Sequence, residues 1–294
     1  MSVLAVEDRR LTGIGLMLVA YLLFTAIDSS AKWLVLAGLP TMVVVFVRYL
    51  VPMVLVGTYL IVTEGRAAFR TENPGLVALR ALFLLASTIF NFTAVQYLPL
   101  TLTAAIFFTV PLWVCALSIP LLGEKVGPRR WAAIVIGFLG VLVAMRPWSA
   151  EAHWAVFLSM GTAIAAALYL IATRRLAGRV STDTQQFYAA AIAAVAIAPL
   201  ALAEWEWPAS TIDWTVFALI GLFGWGGHQV LTVAHRLAPA SVLAPFVYVQ
   251  MIYMTGSSWL IFDQPPDGWI LAGGSIVLAS GLYIWLRERA LGAG

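Results

Sequence analysis

Charge is scarce in this chain of 294 residues. Aspartate, glutamate, lysine and arginine make up 11% of it, and 62% is hydrophobic. Soluble domains run at about a quarter charged residues, so the composition excludes an ordinary water-soluble globular protein. Cysteine is nearly absent too. The single Cys115 rules out an intrachain disulfide and leaves the redox compartment unread; it reads as a small buried hydrophobe. No G-x-x-x-x-G-K-[ST] occurs, which excludes an intrinsic ATPase. No H-E-x-x-H or zinc-spaced Cys/His set occurs either. A small-residue cleavage site after the first apolar run is also missing. "DSSAKW" stands there instead, so the run is read as a retained span and not a signal peptide.

The chain is filled by apolar stretches near the roughly 20 residues that a membrane-spanning helix needs. They cover approximately 11–34, 40–62, 75–98, 100–122, 128–146, 153–174, 183–203, 213–235, 239–262 and 267–286. The ten segments fall into two sets of five with an offset of 140. Pro239 falls on Pro99, Ala234 on Ala94, and Gly161 on Tyr21. Hydropathy and spacing carry this repeat more than identity does. Five is odd, so the second set enters the bilayer upside down. The expected fold is an all-α membrane protein of ten transmembrane helices, built as two inverted five-helix repeats, 1–147 and 148–294.

Basic residues orient it. With the N-terminus in the cytoplasm, the inner connections and termini hold Arg9, Arg10, Arg66, Arg70, Lys125, Arg129, Arg130, Arg174, Arg175, Arg179, Arg236, Arg287 and Arg289. The outer side holds Lys32 and Arg146. That bias puts both termini in the cytoplasm. It also accounts for the net charge of +3 without any nucleic-acid partner. The acidic loop "EWEWPASTID" then faces outward, with Trp205 and Trp207 at the interface.

The run from Arg80 to Pro147 reads "RALFLLASTIFNFTAVQYLPLTLTAAIFFTVPLWVCALSIPLLGEKVGPRRWAAIVIGFLGVLVAMRP". Its "A-x-x-Y-L-P-L" element, Gly123-Glu124 after the fourth segment, and Gly137 with Gly140-Val141 in the fifth resemble EamA-type transporters of the drug/metabolite transporter superfamily. A weaker copy, "AHRLAPASVLAPFVYVQ", stands in the second half, which carries Asp263-Gln264-Pro265-Pro266 where the family often repeats Gly-Glu. The resemblance covers nearly the whole chain, and the overall likeness is greatest to bacterial aromatic amino acid exporters. It implies a multi-pass protein of the bacterial cytoplasmic (inner) membrane that moves small molecules by alternating access, with no cofactor and no catalytic residue.

Polar groups inside the bilayer mark the candidate site, because a charge at a helix centre costs about 2.5–3.5 kcal/mol on insertion scales. Tyr21, Thr25, Asp28 and Lys32 share one face of the first segment. Lys32 is expected to snorkel outward. Asp28 and Arg48 lie at similar depths, about 9 and 12 Å from the outer end at the helical rise, and are expected to pair, either for packing or as a gating or coupling pair; the other packing reading pairs Asp28 with Lys32 at i,i+4. Arg80, about one turn from the inner end, is expected to snorkel. Ser87 and Asn91 follow on its face.

Trp225, His228, Gln229 and Thr232 recur at helical spacing in the eighth segment, around Gly226-Gly227, where close approach or local unwinding is allowed. Phe246, Gln250, Tyr253 and Ser257 share a face of the ninth, after Pro245. Pro111 interrupts the fourth between Thr109 and Trp113. Prolines breaking corresponding helices in two halves point to a transporter's site. Thr162, Tyr169 and Thr173 line up in the sixth.

The candidate substrate-binding set is therefore Asn91, Thr109, Trp113, Tyr169, Trp225, His228, Gln229, Gln250 and Tyr253, with Asp28 and Arg48 as gating or coupling groups and no metal ligands. Such a lining, aromatic and amide-rich with few charges, suits a zwitterion with an apolar or aromatic side chain. The expected function is export of amino acids, aromatic and other, with broad specificity. The alternative is carriage of a flavin, a nucleoside-like compound or a drug. A membrane enzyme needs a cluster of acid, base or nucleophile at an interface, and only Ser257 and Ser258 with His228 come near one. The polar faces at mid-membrane argue against a purely structural subunit. Glycines at 137, 140, 273, 274 and 281 permit close helix contact or form a homodimer face.

Overall fold

The computed structural model describes residues 3–71, 73–122, 127–146, 148–149, 153–176, 179–238 and 243–292. The sequence motifs at Gly123-Glu124, Lys125, Pro147 and Pro239 lie outside them. The described residues form α1 (Val3–Leu36), α2 (Thr41–Thr63), α3 (Pro74–Tyr97), α4 (Leu100–Phe107), α5 (Val110–Leu122), α6 (Pro128–Met145), α7 (Val156–Leu176), α8 (Thr182–Ala203), α9 (Thr211–Leu237), α10 (Val249–Leu260) and α11 (Gly268–Gly292). Among the described residues, seven spans, counting α4 and α5 as one, are long and apolar enough to cross a membrane. Without water, only a helix satisfies such a backbone internally.

Local signals set the ends. Proline opens α3 and α6 in their first turn, where its missing N–H costs nothing. A capping box of Ser210 and Asp213 starts α9, and the Ser181 hydroxyl accepts from the Thr184 N–H at the start of α8. The fourth segment breaks at Phe108–Thr109, just ahead of Pro111. The ninth begins with a 3₁₀ turn, Ala244–Tyr248, which contains Pro245, before α10. Both proline-marked interruptions therefore exist. Of the two expectations for Gly226-Gly227, the structure shows close approach and not unwinding: α9 runs unbroken through them. Gly227 serves close packing, since a Cβ there would stand 2.7 Å from a ring carbon of Phe24.

The helices pair across the midpoint of the chain. α1 packs on α9 and α3 on α7; α2 packs on α8, α6 on α11 and α4 on α10. Two further couples, α2 with α9 and α3 with α8, exchange under the same rule, as do α5 with α7 and α1 with α10. Each of these pairings maps onto another, or onto itself, when a segment is exchanged with the one five places on. The α6–α11 seam is drawn close by glycine. A Cβ on Gly140 would lie 2.9 Å from the Gly273 carbonyl oxygen. These glycines thus have a use inside the chain.

One end of the bundle is tied by polar bonds between the halves. Arg146 donates to Asp267 at 2.7 Å, and the indole N–H of Trp33 to Asp213 at 2.8 Å. Tyr97 stacks on His153 with 5.1 Å between centroids. Trp207 stacks on Trp214 and meets Trp205 edge-on. At the opposite end, the 3₁₀ turn Gly65–Phe69 is held by α8, where the Thr184 hydroxyl donates to the Ala68 carbonyl and the Tyr188 hydroxyl to that of Phe69.

Candidate functional site

Between the halves lies a cavity of about 190 Å³. α2 supplies Arg48, Tyr49 and Pro52; α3 supplies Arg80; α7 supplies Tyr169 and Thr173. α8 contributes Thr182 and Gln186, and α9 contributes Gly224, Trp225, His228 and Thr232. It reaches from Arg48, roughly 10 Å along α2 at the helical rise, to Thr182, the first residue of α8. Helical spacing explains the convergence. Tyr169 and Thr173 are one turn apart, as are Trp225 with His228 and His228 with Thr232.

A buried arginine organises its wall. Arg80 is 4% exposed. Its Nε donates to the Thr173 hydroxyl at 2.7 Å, one terminal nitrogen to the Gln185 carbonyl at 3.0 Å, and the other to the Tyr169 hydroxyl at 2.7 Å. The guanidinium also lies over the Tyr169 ring, 4.5 Å from its centroid. The expectation that Arg80 snorkels is therefore corrected: partners about a hundred residues away satisfy it in place. It is the main site residue the sequence reading missed. The available signal was a charge inside an apolar run, which marks function by default.

Lys32 is corrected in the same way. It is 1% exposed, and its Nζ donates to the Leu98 carbonyl and to Gln264 Oε1, both at 2.7 Å. It neither snorkels nor pairs with Asp28. The expected Asp28–Arg48 ion pair does not form. Asp28 accepts from the Asn91 amide at 2.8 Å, while Arg48 lies over the rings of Tyr49 and Phe92, at 4.4 and 5.9 Å.

Of the candidate binding residues, Tyr169, Trp225 and His228 line the cavity, joined by Arg48. Trp225 stands at its edge, 37% exposed. The His228 ring packs on Phe24 at 5.1 Å. Asn91 is one layer away, with Asp28. Gln229 and Gln250 are half-buried outside the lining. Thr109 is buried and donates to the Ile106 carbonyl at 2.6 Å, capping the break in the fourth segment. Trp113 meets Phe138 edge-on at 4.8 Å.

Tyr253 borders a different space, about 510 Å³ between α1 and α10, with Thr25, Trp33, Ile252 and Leu260. That crevice is larger but nearly apolar. It lies beside the exposed side chains of Ile252 and Leu260 on the flank of the bundle. The smaller cavity holds the polar groups and is the better site. Ser257 bonds to Ser29 at 2.6 Å, and Ser258 donates to the Gln264 carbonyl at 3.0 Å. Neither serine meets His228.

The sequence profile described as the EamA-like transporter family matches this chain twice, over residues 11–146 and 153–286. A riboflavin transporter of Vibrio cholerae is 27% identical over 291 residues, covering 98% of each chain. An S-adenosylmethionine uptake transporter of Rickettsia conorii is 26% identical over 95% of this chain and 94% of its own. A pseudopaline exporter of Pseudomonas aeruginosa is 25% identical over 94% and 96%. One solved crystal structure superposes with a TM-score of 0.63 over 97% of this chain and 99% of its own, at 18% identity, which speaks to the fold. Full-length similarity to carriers, a repeated family match and a polar cavity inside an apolar helical bundle agree. The chain is a multi-pass protein of the bacterial inner membrane, a transporter and not an enzyme, and it belongs to the EamA-like transporter family.

Proposed function

We propose that the chain is a secondary transporter that exports amino acids, aromatic ones among them, from the cytoplasm by alternating access. The observation that carries this reading is the cavity between the halves, walled by Tyr49, Tyr169 and Trp225 and supplied with hydroxyl and amide groups by Thr173, Thr232 and Gln186. Ring faces receive an apolar or aromatic side chain, and the polar groups orient its head. At about 190 Å³, the cavity is below the roughly 300–1,000 Å³ of sites for drug-sized ligands, which favours a solute of amino acid size. The two halves are inverted five-helix repeats, 1–147 and 148–294, and both termini are cytoplasmic. The family profile matching each half and the pairing of helices across the midpoint support the repeat, and the basic inner connections support the orientation. In that frame the cavity opens inward, at Thr182, and the outer end is shut by Arg146–Asp267 and Lys32–Gln264.

A second reading, carriage of a flavin or nucleoside-like compound, is favoured by relatives named for riboflavin and S-adenosylmethionine. Liposomes containing the purified protein separate the two. Labelled phenylalanine, threonine, methionine and riboflavin are supplied with and without a pH gradient. The expected result is saturable phenylalanine uptake that other amino acids compete. Uptake of riboflavin alone would replace the amino acid reading with the second.

A further inference from the structure

The charges in the cavity are of one sign. Among the described residues its lining contains Arg48 and Arg80, with His228 beside them, and no aspartate or glutamate. The two arginines are in different states. Arg80 has three of its five N–H donors engaged by Thr173, Gln185 and Tyr169. Arg48 has a buried Nε with no hydrogen-bond partner. Among the described residues no carboxylate lies within ion-pairing distance of it. Asp28, the nearest acid in the sequence reading, is held by Asn91 instead. What Arg48 does touch is ring faces, Tyr49 at 4.4 Å and Phe92 at 5.9 Å. Rings attract a guanidinium over its flat face without neutralising it and leave its N–H edge open.

Asp28 acts on this guanidinium through space but is bonded to Asn91, so no carboxylate is bonded to Arg48, and the cavity that it lines can admit one. We propose that the site selects solutes by an anionic head, with a carboxylate forking onto Arg48 and a planar body lying against Tyr169 and Trp225. This deepens the transport reading and rests on it: Arg48 becomes the specificity-determining residue, with Arg80 shaping the wall. An amino acid enters through its carboxylate, but its ammonium meets no acid in the lining. A purely cationic solute is repelled by two arginines. The order of preference is therefore anion, zwitterion, cation, for solutes of otherwise equal shape.

Three probes sharing one ring and chain length test this: 3-phenylpropionate, phenylalanine and phenethylamine. Binding is read as the shift of the thermal unfolding midpoint of purified protein in detergent, and transport as uptake of the labelled probes into liposomes. The expected result is half-saturation at the lowest concentration for 3-phenylpropionate, a higher one for phenylalanine, and no shift with phenethylamine. Arg48→Gln should weaken 3-phenylpropionate on the order of 30-fold, the lower range for losing one partner of a hydrogen-bonded charge pair. Arg48→Lys, which keeps the charge without the fork, should fall between. Equal shifts from all three probes would overturn the proposal. So would no shift from 3-phenylpropionate with folded wild-type protein, or unchanged binding in Arg48→Gln. Uptake that ignores probe charge leaves the transport reading standing and removes the anion selection. Anion-selective stabilisation without uptake of any probe keeps the site and removes the transport reading.

Discussion

Phe108 and Tyr248 meet with 5.6 Å between their ring centroids, and they stand 140 residues apart, the offset expected between the two halves of the sequence. Phe108 caps α4 at the break in the fourth segment, and Tyr248 closes the 3₁₀ turn that opens the ninth. The two interruptions are thus packed on each other through equivalent residues. The Tyr248 hydroxyl lies where a side chain on Gly281 would go, 2.8 Å from a Cβ placed there.

That contact predicts a rescue. Gly281→Ala drives a methyl group against the tyrosine hydroxyl and should cost about 1–3 kcal/mol, as overpacking does. Tyr248→Phe removes the hydroxyl and should recover about 1 kcal/mol or more of it in the double variant, within the range of contacting pairs. Chemical unfolding midpoints of the three variants in mild detergent measure the coupling. Additive costs would mean that the two residues do not touch.

The Arg80 cluster should behave asymmetrically. Tyr169→Phe deletes one hydrogen bond and should cost about 1 kcal/mol. Arg80→Leu leaves the Tyr169 and Thr173 hydroxyls and the Gln185 carbonyl without their shared donor, and should cost about 3 kcal/mol. The same unfolding assay compares them. Similar costs would mean that the arginine is only tethered and not a hub.

These partners show where the sequence stops being legible. The helical segments, the breaks in the fourth and ninth, and the faces that unite Tyr169 with Thr173 and Trp225 with His228 all follow from hydropathy, proline and a 3.6-residue period, which are local signals. The fates of Arg80 and Lys32 do not. Both sit near a segment end, so depth alone predicts snorkelling. What retains them is a hydroxyl or carbonyl 66 to 232 residues away, and nothing in their neighbourhood announces it. Asp28 and Arg48 failed to pair for a related reason: equal depth is compatible with facing different neighbours around the helix axis. Trp113 and Thr109 bear the right chemistry, but the break beside them turns one toward Phe138 and ties the other to its own turn.

The glycine seam yields a controlled comparison. A Cβ on Gly273 meets the backbone of Gly140 and Ala144, which cannot rotate out of the way. A Cβ on Gly256 meets nothing within 4 Å. Gly273→Ala should therefore reduce the yield of folded protein and lower its unfolding midpoint, by about 1–3 kcal/mol. Gly256→Ala should be neutral or stabilising by about 0.4–1 kcal/mol. Equal behaviour of the two would contradict the packing of α6 on α11.

At the end of the bundle that holds Arg146 and Asp267, two cationic ties should differ in strength. The Arg146–Asp267 pair is partly exposed, with side chains 25% and 40% accessible, and Asp267→Asn should change stability by less than about 1 kcal/mol, with a salt dependence. Lys32 is buried, and Lys32→Met leaves the Leu98 carbonyl and the Gln264 amide without their donor, at about 1–3 kcal/mol. Hydrogen exchange of the 98–102 and 261–267 backbone should accelerate in the lysine variant and stay near wild type in the aspartate variant.

The contact between Gly140 and Gly273 has a mechanical consequence. Where two helices touch backbone to backbone their axes approach closely, and here Ile276 against Gly140 and the Ser280 hydroxyl on the Ala133 carbonyl key the seam along its length. The ties of Arg146 and Lys32 are the opposite kind: discrete bonds to charged or amide groups that water can take over one at a time. The α6–α11 seam, keyed in this way, resists sliding and separation together, so it is the edge of the bundle that a local opening elsewhere leaves in place.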